Sequence, residues 1–127
     1  MNRVIIALGS NIEPDTNIQK TKEILVRKYH VLTESCFKTT KSVGDVPQAD
    51  FINGNLLLET ESAHTSLKAE LKTIEAQLGR DEKHSHETPR TIDLDIVLWN
   101  EAVINQDFYE RDYLKESVLE LVPDLKY

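Results

Sequence analysis

The sequence has little cysteine, glycine or proline, and it contains no long apolar run. Cys36 is the one cysteine in 127 residues, which excludes an internal disulfide framework and a cysteine-based zinc site. Because disulfide-free chains are typical of reducing compartments, we expect a cytoplasmic protein. Cys36 stands among strand-forming residues, so we expect it to be a small core residue. Four glycines and four prolines leave no low-complexity tract or linker.

Three further absences limit the function classes. No apolar run approaches the length of a membrane span, so no membrane association is expected. The apolar run at residues 4–8 is followed by Gly9, Ser10 and Asn11, a pattern typical of a strand and turn rather than an export signal. The net charge of −7 lacks the basic excess of a non-specific nucleic-acid binder. A nucleotide ligand remains compatible, because a few arginines and a metal can hold phosphates on an acidic protein.

Hydrophobic periodicity divides the chain into alternating strands and helices. Residues 4–8 predict a central strand buried on both faces. The stripe of Leu67, Leu71, Ile74 and Leu78 predicts a helix that Gly79 ends. The predicted strands cover residues 4–8, 31–39, 51–60 and 91–99, and the predicted helices cover 14–29, 67–78 and a closing segment that Pro123 ends. This βαββαβ order predicts an α+β, ferredoxin-like sandwich, mainly antiparallel, with helices packed on the sheet.

Asp93 and Asp95 lie two residues apart in the strand predicted over residues 91–99. Because strand side chains alternate, both carboxylates project from one face, with Cα atoms about 6.6 Å apart. Leu94 and Ile96 then point into the core. An isolated Asp-x-Asp is more often a solvated strand surface than a site, so its neighbours decide the interpretation.

Two arginines stand near this acidic pair. Arg90 lies directly upstream of the strand, and Arg80 follows the second helix, where it could equally neutralise the helix C-terminus. Carboxylates that share one Mg²⁺ or bracket two, with arginines for phosphate oxygens, are the minimum set for phosphoryl transfer. Since the sequence has no P-loop, side chains and metal must hold the phosphates.

The segment Pro89-Arg90-Thr91-Ile92-Asp93-Leu94-Asp95-Ile96 resembles the most specific motif of the 6-hydroxymethyl-7,8-dihydropterin pyrophosphokinase family. Further resemblances lie at Ala7-Leu8-Gly9-Ser10-Asn11, Asp50-Phe51-Ile52-Asn53, the second helix end through Gly79-Arg80, and Arg111-Asp112-Tyr113. Together they cover nearly the whole chain, so residues 1–127 are expected to form a single pyrophosphokinase-like domain. The resemblance implies transfer of the pyrophosphoryl group of ATP to the hydroxymethyl oxygen of the pterin, releasing AMP, in folate biosynthesis.

Carried over by position, the resemblance implies roles for individual residues. Asp93 and Asp95 would bind two Mg²⁺ ions, and Arg80, in a closing loop, and Arg90 would join them in catalysis. The implied ATP contacts are Lys72, Glu75, Arg90, Ile96 and Arg111. The implied pterin contacts are Thr40, Val43, Phe51, Asn53 and Tyr113, with Phe51 and Tyr113 sandwiching the ring and Asn53 bonding its polar edge.

The sequence also departs from the family pattern. The family's Pro-His pair, which precedes the last helix, has no counterpart between residues 103–105 and Arg111. Glu82 and Glu87 replace an arginine and a tryptophan, and Thr88 replaces a glycine. Because a glutamate repels a triphosphate, we expect weaker ATP binding or slower turnover.

Other functions stay open at this stage. The departures are also compatible with a pterin- or nucleotide-binding module that does not catalyse transfer. The fold order alone would suit a ferredoxin-like interaction domain without a small ligand. An Asp-x-Asp nucleotide-sugar transferase is disfavoured because the chain is short for it. We expect a monomer, with a dimer left open.

Overall fold

A computed structural model describes residues 1–41, 49–79 and 91–127. The strands are β1 (Asn2–Ser10), β2 (His30–Glu34), β3 (Lys38–Thr40), β4 (Phe51–Thr60), β5 (Asp93–Trp99) and β6 (Ala102–Val103). The helices are α1 (Pro14–Lys28), α2 (His64–Gln77), α3 (Asp107–Glu110) and α4 (Asp112–Leu121). Within these ranges, no helix is long and apolar enough to cross a membrane.

The strands form one antiparallel sheet in the order β2-β4-β1-β5-β6, with β3 also pairing with β4. The order β2-β4-β1-β5 is that of a βαββαβ ferredoxin-like sandwich, in which each βαβ unit leaves room for a strand between its two strands. The predicted α+β fold is therefore confirmed. Gly79 has a φ of 94° directly after α2, which is the left-handed geometry expected of a glycine that ends a helix.

Strand β1 lies at the centre and is buried on both faces, as the run at residues 4–8 predicts. Val4, Ile6 and Leu8 join one apolar cluster with residues of α1 and α2. Ile5 joins a second cluster on the opposite face, which includes Phe108 of α3. Helices thus cover both faces of the sheet, and the second cover comes from α3 and α4, which carry residues near the predicted site.

A β-bulge separates the buried half of β5 from the half that carries the acidic pair. Ile5 pairs with Leu98 and Ile6 pairs with Ile96, so Val97 is the extra residue. Before the bulge, Leu94 and Ile96 join the cluster under α1 and α2, as predicted from strand alternation. Asp93 and Asp95 therefore belong to the opposite face, on the side of α4.

The single strand predicted over residues 31–39 is wrong, because two short strands, β2 and β3, occupy this region. Glu34 pairs with Leu56, whereas Lys38 pairs with Asn53, so the segment between them holds one residue more than β4. Ser35 bends inward there, and its hydroxyl accepts a hydrogen bond from the backbone N of Asn55 at 2.9 Å. The local sequence has no glycine or proline that would have marked this break.

One further prediction is wrong, and one element was missed. Cys36 is exposed rather than buried, because its backbone N turns toward α4 and donates to Glu120 Oε2 at 2.9 Å. The short helix α3 was not predicted, since four residues are too few for a helical periodicity to be visible.

Candidate active site

Three strands provide the floor of the site on the α4 side of the sheet. Asn53, Gly9 and Asp93 are cross-strand neighbours on β4, β1 and β5. Asn55, Ala7 and Asp95 form the next row, and by alternation they face the same side. Both rows thus place an amide on β4 and a carboxylate on β5 on either side of a very small β1 residue. The small central residues leave open space between the polar side chains.

A cleft of about 810 Å³ opens over this floor and around the outer edge of β5. It is lined by every predicted site residue that the structure describes, namely Thr40, Phe51, Asn53, Lys72, Glu75, Asp93, Asp95, Ile96, Arg111 and Tyr113. The predicted residues Val43, Arg80 and Arg90, with Glu82 and Glu87, lie outside the described residues. Residues from β3, β4, β5, α2 and α4 therefore meet in one cavity, although they are widely separated in sequence.

The acidic pair is accessible from this cleft, since Asp93 is half-buried and Asp95 is exposed. The negative charge of the pair also acts electrostatically on the Tyr113 hydroxyl. The pKa of Tyr113 is raised, chiefly by burial, while Arg111 lowers it and Asp107, Asp93 and Asp95 raise it further. The Tyr113 phenol, at the start of α4, therefore lies near both a positive side chain and several negative ones.

The donor set of the pair suits Mg²⁺ better than a transition metal. In the described ranges, no third His, Cys, Asp or Glu joins the pair to make a complete metal-binding cluster. Mg²⁺ takes oxygen ligands and usually keeps several waters, so one or two carboxylates plus substrate phosphates are a sufficient set. Two accessible carboxylates on one strand face therefore fit this ion.

Helix α2 covers the outer edge of β5 through a buried glutamate. Glu75 is only 7% exposed, and its Oε2 accepts a hydrogen bond from the backbone N of Leu94 at 2.7 Å. This edge is accessible because β6 pairs only with Leu98 and Trp99. Lys72 lies one turn before Glu75 and lines the cleft as an exposed cation. Of the implied ATP contacts, Lys72 and Glu75 therefore lie on α2 and Ile96 lies on β5.

Three of the implied pterin contacts, Thr40, Phe51 and Asn53, lie on β3 and β4. Thr40 is the cross-strand partner of Phe51, and Lys38 is that of Asn53. Asn53 Nδ2 donates a hydrogen bond to Thr40 Oγ1. A Cβ atom on Gly9 would lie 2.6 Å from Asn53 Oδ1, so only glycine leaves this amide in place.

Arg111 precedes α4 and lines the cleft near α3. Its Nε lies 3.7 Å from Asp107 Oδ1, and both side chains are partly exposed. This ion pair is weak in solvent. It keeps the guanidinium near the cleft, and a more strongly charged anion such as a phosphate can still bind to it. Helix α3 and the residue before it occupy the short stretch from which the Pro-His pair is missing.

Several cleft residues were missed by sequence reasoning. Lys68 lies one helical turn before Lys72 and lines the same wall, so the spacing of four residues could have identified it. Asn55 lies two residues after Asn53, so strand alternation could have identified it. Ser117 of α4 and Lys38 also line the cleft, but nothing in their local sequence distinguishes them from ordinary surface residues.

Comparisons with known proteins agree with this geometry. The family model for 7,8-dihydro-6-hydroxymethylpterin-pyrophosphokinase (HPPK) matches residues 5–123. A 2-amino-4-hydroxy-6-hydroxymethyldihydropteridine pyrophosphokinase of Haemophilus influenzae is 32% identical, with 94% of this chain and 81% of that protein covered. The Pseudomonas aeruginosa protein of that name is 30% identical over 99% of this chain and 84% of its own length. A folate synthesis bifunctional protein of Arabidopsis thaliana is 33% identical over 96% of this chain, which covers 26% of that protein.

The family model spans the floor strands β1, β4 and β5 as well as helices α2 and α4. The match therefore includes every element that lines the cleft, and it is not limited to the motif around Asp93 and Asp95. The chain belongs to the 7,8-dihydro-6-hydroxymethylpterin-pyrophosphokinase family.

Proposed function

We propose that this chain transfers the pyrophosphoryl group of ATP to the hydroxymethyl oxygen of 6-hydroxymethyl-7,8-dihydropterin. The bond from that oxygen to the β-phosphorus forms, and the hydroxyl proton is released to solvent. The bond from the β-phosphorus to the oxygen bridging it to the α-phosphorus breaks, and AMP leaves. The observation that carries the proposal is the arrangement of Asp93, Asp95, Asn53 and Arg111 around one cleft. Family membership supports the same reaction.

Asp93 and Asp95 would hold Mg²⁺, since both carboxylates lie on one strand face, and we propose two ions because the family resemblance implies two. When bound, Mg²⁺ neutralises phosphate charge and lowers the pKa of a coordinated hydroxyl. The aspartates themselves would position this charge at the centre of the cleft, between its two ends. Without a cation, two like charges so close on one strand repel each other.

The other cleft residues orient the two substrates. Phe51 and Tyr113 would stack on the faces of the pterin ring, since flat heterocycles bind between aromatic side chains. Lys72, Lys68 and Arg111 would neutralise the phosphates of ATP and hold them in line with the hydroxymethyl oxygen. Positioning and charge neutralisation supply most of the catalysis in phosphoryl transfer, so no side chain is required as a nucleophile.

The decisive experiment incubates the purified chain with ATP, Mg²⁺ and the hydroxymethyl dihydropterin and measures AMP by chromatography. AMP should appear only when all three are present, and Asp95→Ala should abolish it. Asp124→Ala is the matched control, because Asp124 is an exposed residue after α4. If wild-type protein binds the pterin but forms no AMP above background, the transfer reaction is excluded and a pterin-binding module remains.

A further inference from the structure

Asn55 is the most deeply buried polar residue on the cleft floor. Its side chain is 1% exposed, and it lines the cleft beside its cross-strand neighbour Ala7. Its Oδ1 has no hydrogen-bond partner among the described residues. A buried carbonyl oxygen without a donor is costly, so a native structure normally supplies one from a water or a ligand.

The orientation of this amide is determined by Ser117. The Ser117 hydroxyl donates its proton to the carbonyl O of Leu114 at 3.1 Å, so its oxygen can only accept from a further partner. Asn55 Nδ2 donates to that oxygen. The amide nitrogen is therefore directed to α4, and the unpartnered Oδ1 belongs to the other side of the amide.

Asn53 repeats this arrangement two residues earlier on the same face. Its Nδ2 donates to Thr40 Oγ1, which leaves Oδ1 beside Gly9. Each amide thus has its nitrogen held by a hydroxyl of the protein and its oxygen left as an acceptor. The two Cα atoms are about 6.6 Å apart, from the usual rise along a strand.

We infer that Asn55 is a further specificity residue, whose Oδ1 forms an acceptor pair with that of Asn53 and so selects a heterocycle with N–H donors along its edge. This inference rests on the proposed function, because it concerns the specificity of the pterin end of that site. A 2-amino group and ring N–H groups supply such donors. An analogue without the amino group leaves a buried acceptor unsatisfied, which is the strongest basis for discrimination in a polar pocket.

Ser117 is a positioning residue in this scheme, since it acts through Asn55. It also connects the floor to α4, which carries Tyr113 one helical turn earlier. Loss of the Ser117 hydroxyl would let the Asn55 amide rotate, so that a donor would face the occupant in place of the acceptor. Selectivity for the amino group should then fall even though Asn55 is still present.

The test compares binding of 6-hydroxymethylpterin with that of its 2-deamino analogue by calorimetric titration. Wild-type protein should prefer the amino compound roughly 10- to 100-fold, as expected for one buried hydrogen bond. Asn55→Leu should lose most of that preference with an unchanged affinity for ATP. Ser117→Ala should lose it in part, Ser117→Thr should retain it, and the exposed-surface control Ser66→Ala should behave as wild type.

The acceptor pair is overturned if wild type, folded Asn55→Leu and Ser117→Ala all prefer the amino compound over its 2-deamino analogue to the same extent. If Asn55→Leu does not fold, Ser117→Ala alone decides, because its Asn55 is intact. The titration does not depend on turnover, so its outcome is separate from that of the AMP assay. AMP formation with an unchanged preference in the variants rejects only this inference, whereas pterin binding without AMP rejects only the transfer reaction.

Discussion

Glu75 of α2 holds the backbone N of Leu94 on β5 at 2.7 Å, directly between Asp93 and Asp95 in sequence. The contact fixes the helix that carries Lys68 and Lys72 against the strand that carries the acidic pair. Because Glu75 is nearly fully buried, this hydrogen bond is shielded from solvent. This hydrogen bond, together with the apolar packing of α2 on the sheet, holds the cationic wall of the cleft against the anionic one.

Replacing Glu75 should therefore lower the free energy of unfolding. Glu75→Ala leaves the Leu94 N–H without its partner, which costs about 1–3 kcal/mol of unfolding free energy. Glu75→Gln keeps an acceptor oxygen and should lose less. Urea denaturation of both variants and of Glu116→Gln, an exposed change on α4, would measure the difference. Equal stability of Glu75→Ala and wild type would contradict the role assigned to this bond.

Removing one carboxylate of the acidic pair should separate metal binding from folding. Asp95 is exposed, so Asp95→Asn should leave the melting temperature without Mg²⁺ nearly unchanged. Mg²⁺ with ATP should raise the melting temperature of wild type through binding to the folded state, but not that of the variant. A thermal shift assay with and without Mg²⁺ checks this. A full ligand-induced shift in Asp95→Asn would remove the pair from the proposed metal site.

Replacing either of two glycines on neighbouring strands by alanine should have different effects: one change should lower pterin affinity and the other should lower stability. Gly9→Ala places a Cβ 2.6 Å from Asn53 Oδ1, so this amide must move and pterin affinity should fall at least tenfold, about the value of one hydrogen bond. Gly54→Ala places a Cβ within 2.5 Å of the Phe37 ring, so packing and stability should suffer first. Melting curves and pterin titrations of both variants separate the effects. Unaltered pterin binding in Gly9→Ala would exclude Asn53 from the site.

Lys68 should contribute to ATP binding although no motif identifies it. Lys68→Gln removes a cation from the cleft wall, so the KM for ATP should rise about threefold to tenfold, while the KM for the pterin stays constant. Lys20→Gln, an exposed change on α1, is the control. The effect should diminish at high salt because an exposed lysine is screened. A rise in the KM for the pterin alone would show that Lys68 does not contact ATP.

Alkaline unfolding should depend on two half-buried tyrosines. Burial raises the pKa of Tyr113, and burial with the hydrogen bond to Glu70 raises that of Tyr29. The folded state therefore retains protons that the unfolded state releases above about pH 10, so stability falls as the pH rises beyond that value. Tyr29→Phe should flatten this fall, whereas the exposed Tyr109→Phe should not. Denaturation midpoints measured from pH 8 to 11 would show the difference, and parallel curves would refute it.

Much of the fold followed from local patterns. The apolar run of β1 and the stripe of Leu67, Leu71 and Ile74 predicted a buried strand and a helix, because burial on a face imposes a period that a sequence displays. The break between β2 and β3 was not visible in this way. It depends on the side chain of Ser35 bonding to the backbone of Asn55, a contact between residues 20 positions apart.

The same distinction applies to the site. Alternation along one strand determined that Asp93 and Asp95 share a face, and the family resemblance supplied Asn53, Glu75 and Arg111. Only the tertiary structure could place Ser117 under Asn55 and show an amide oxygen without a donor. Sequence periods encode which way a side chain points within its own element. Which side chains meet across elements depends on strand register and helix packing, and these are decided when the whole core is buried together.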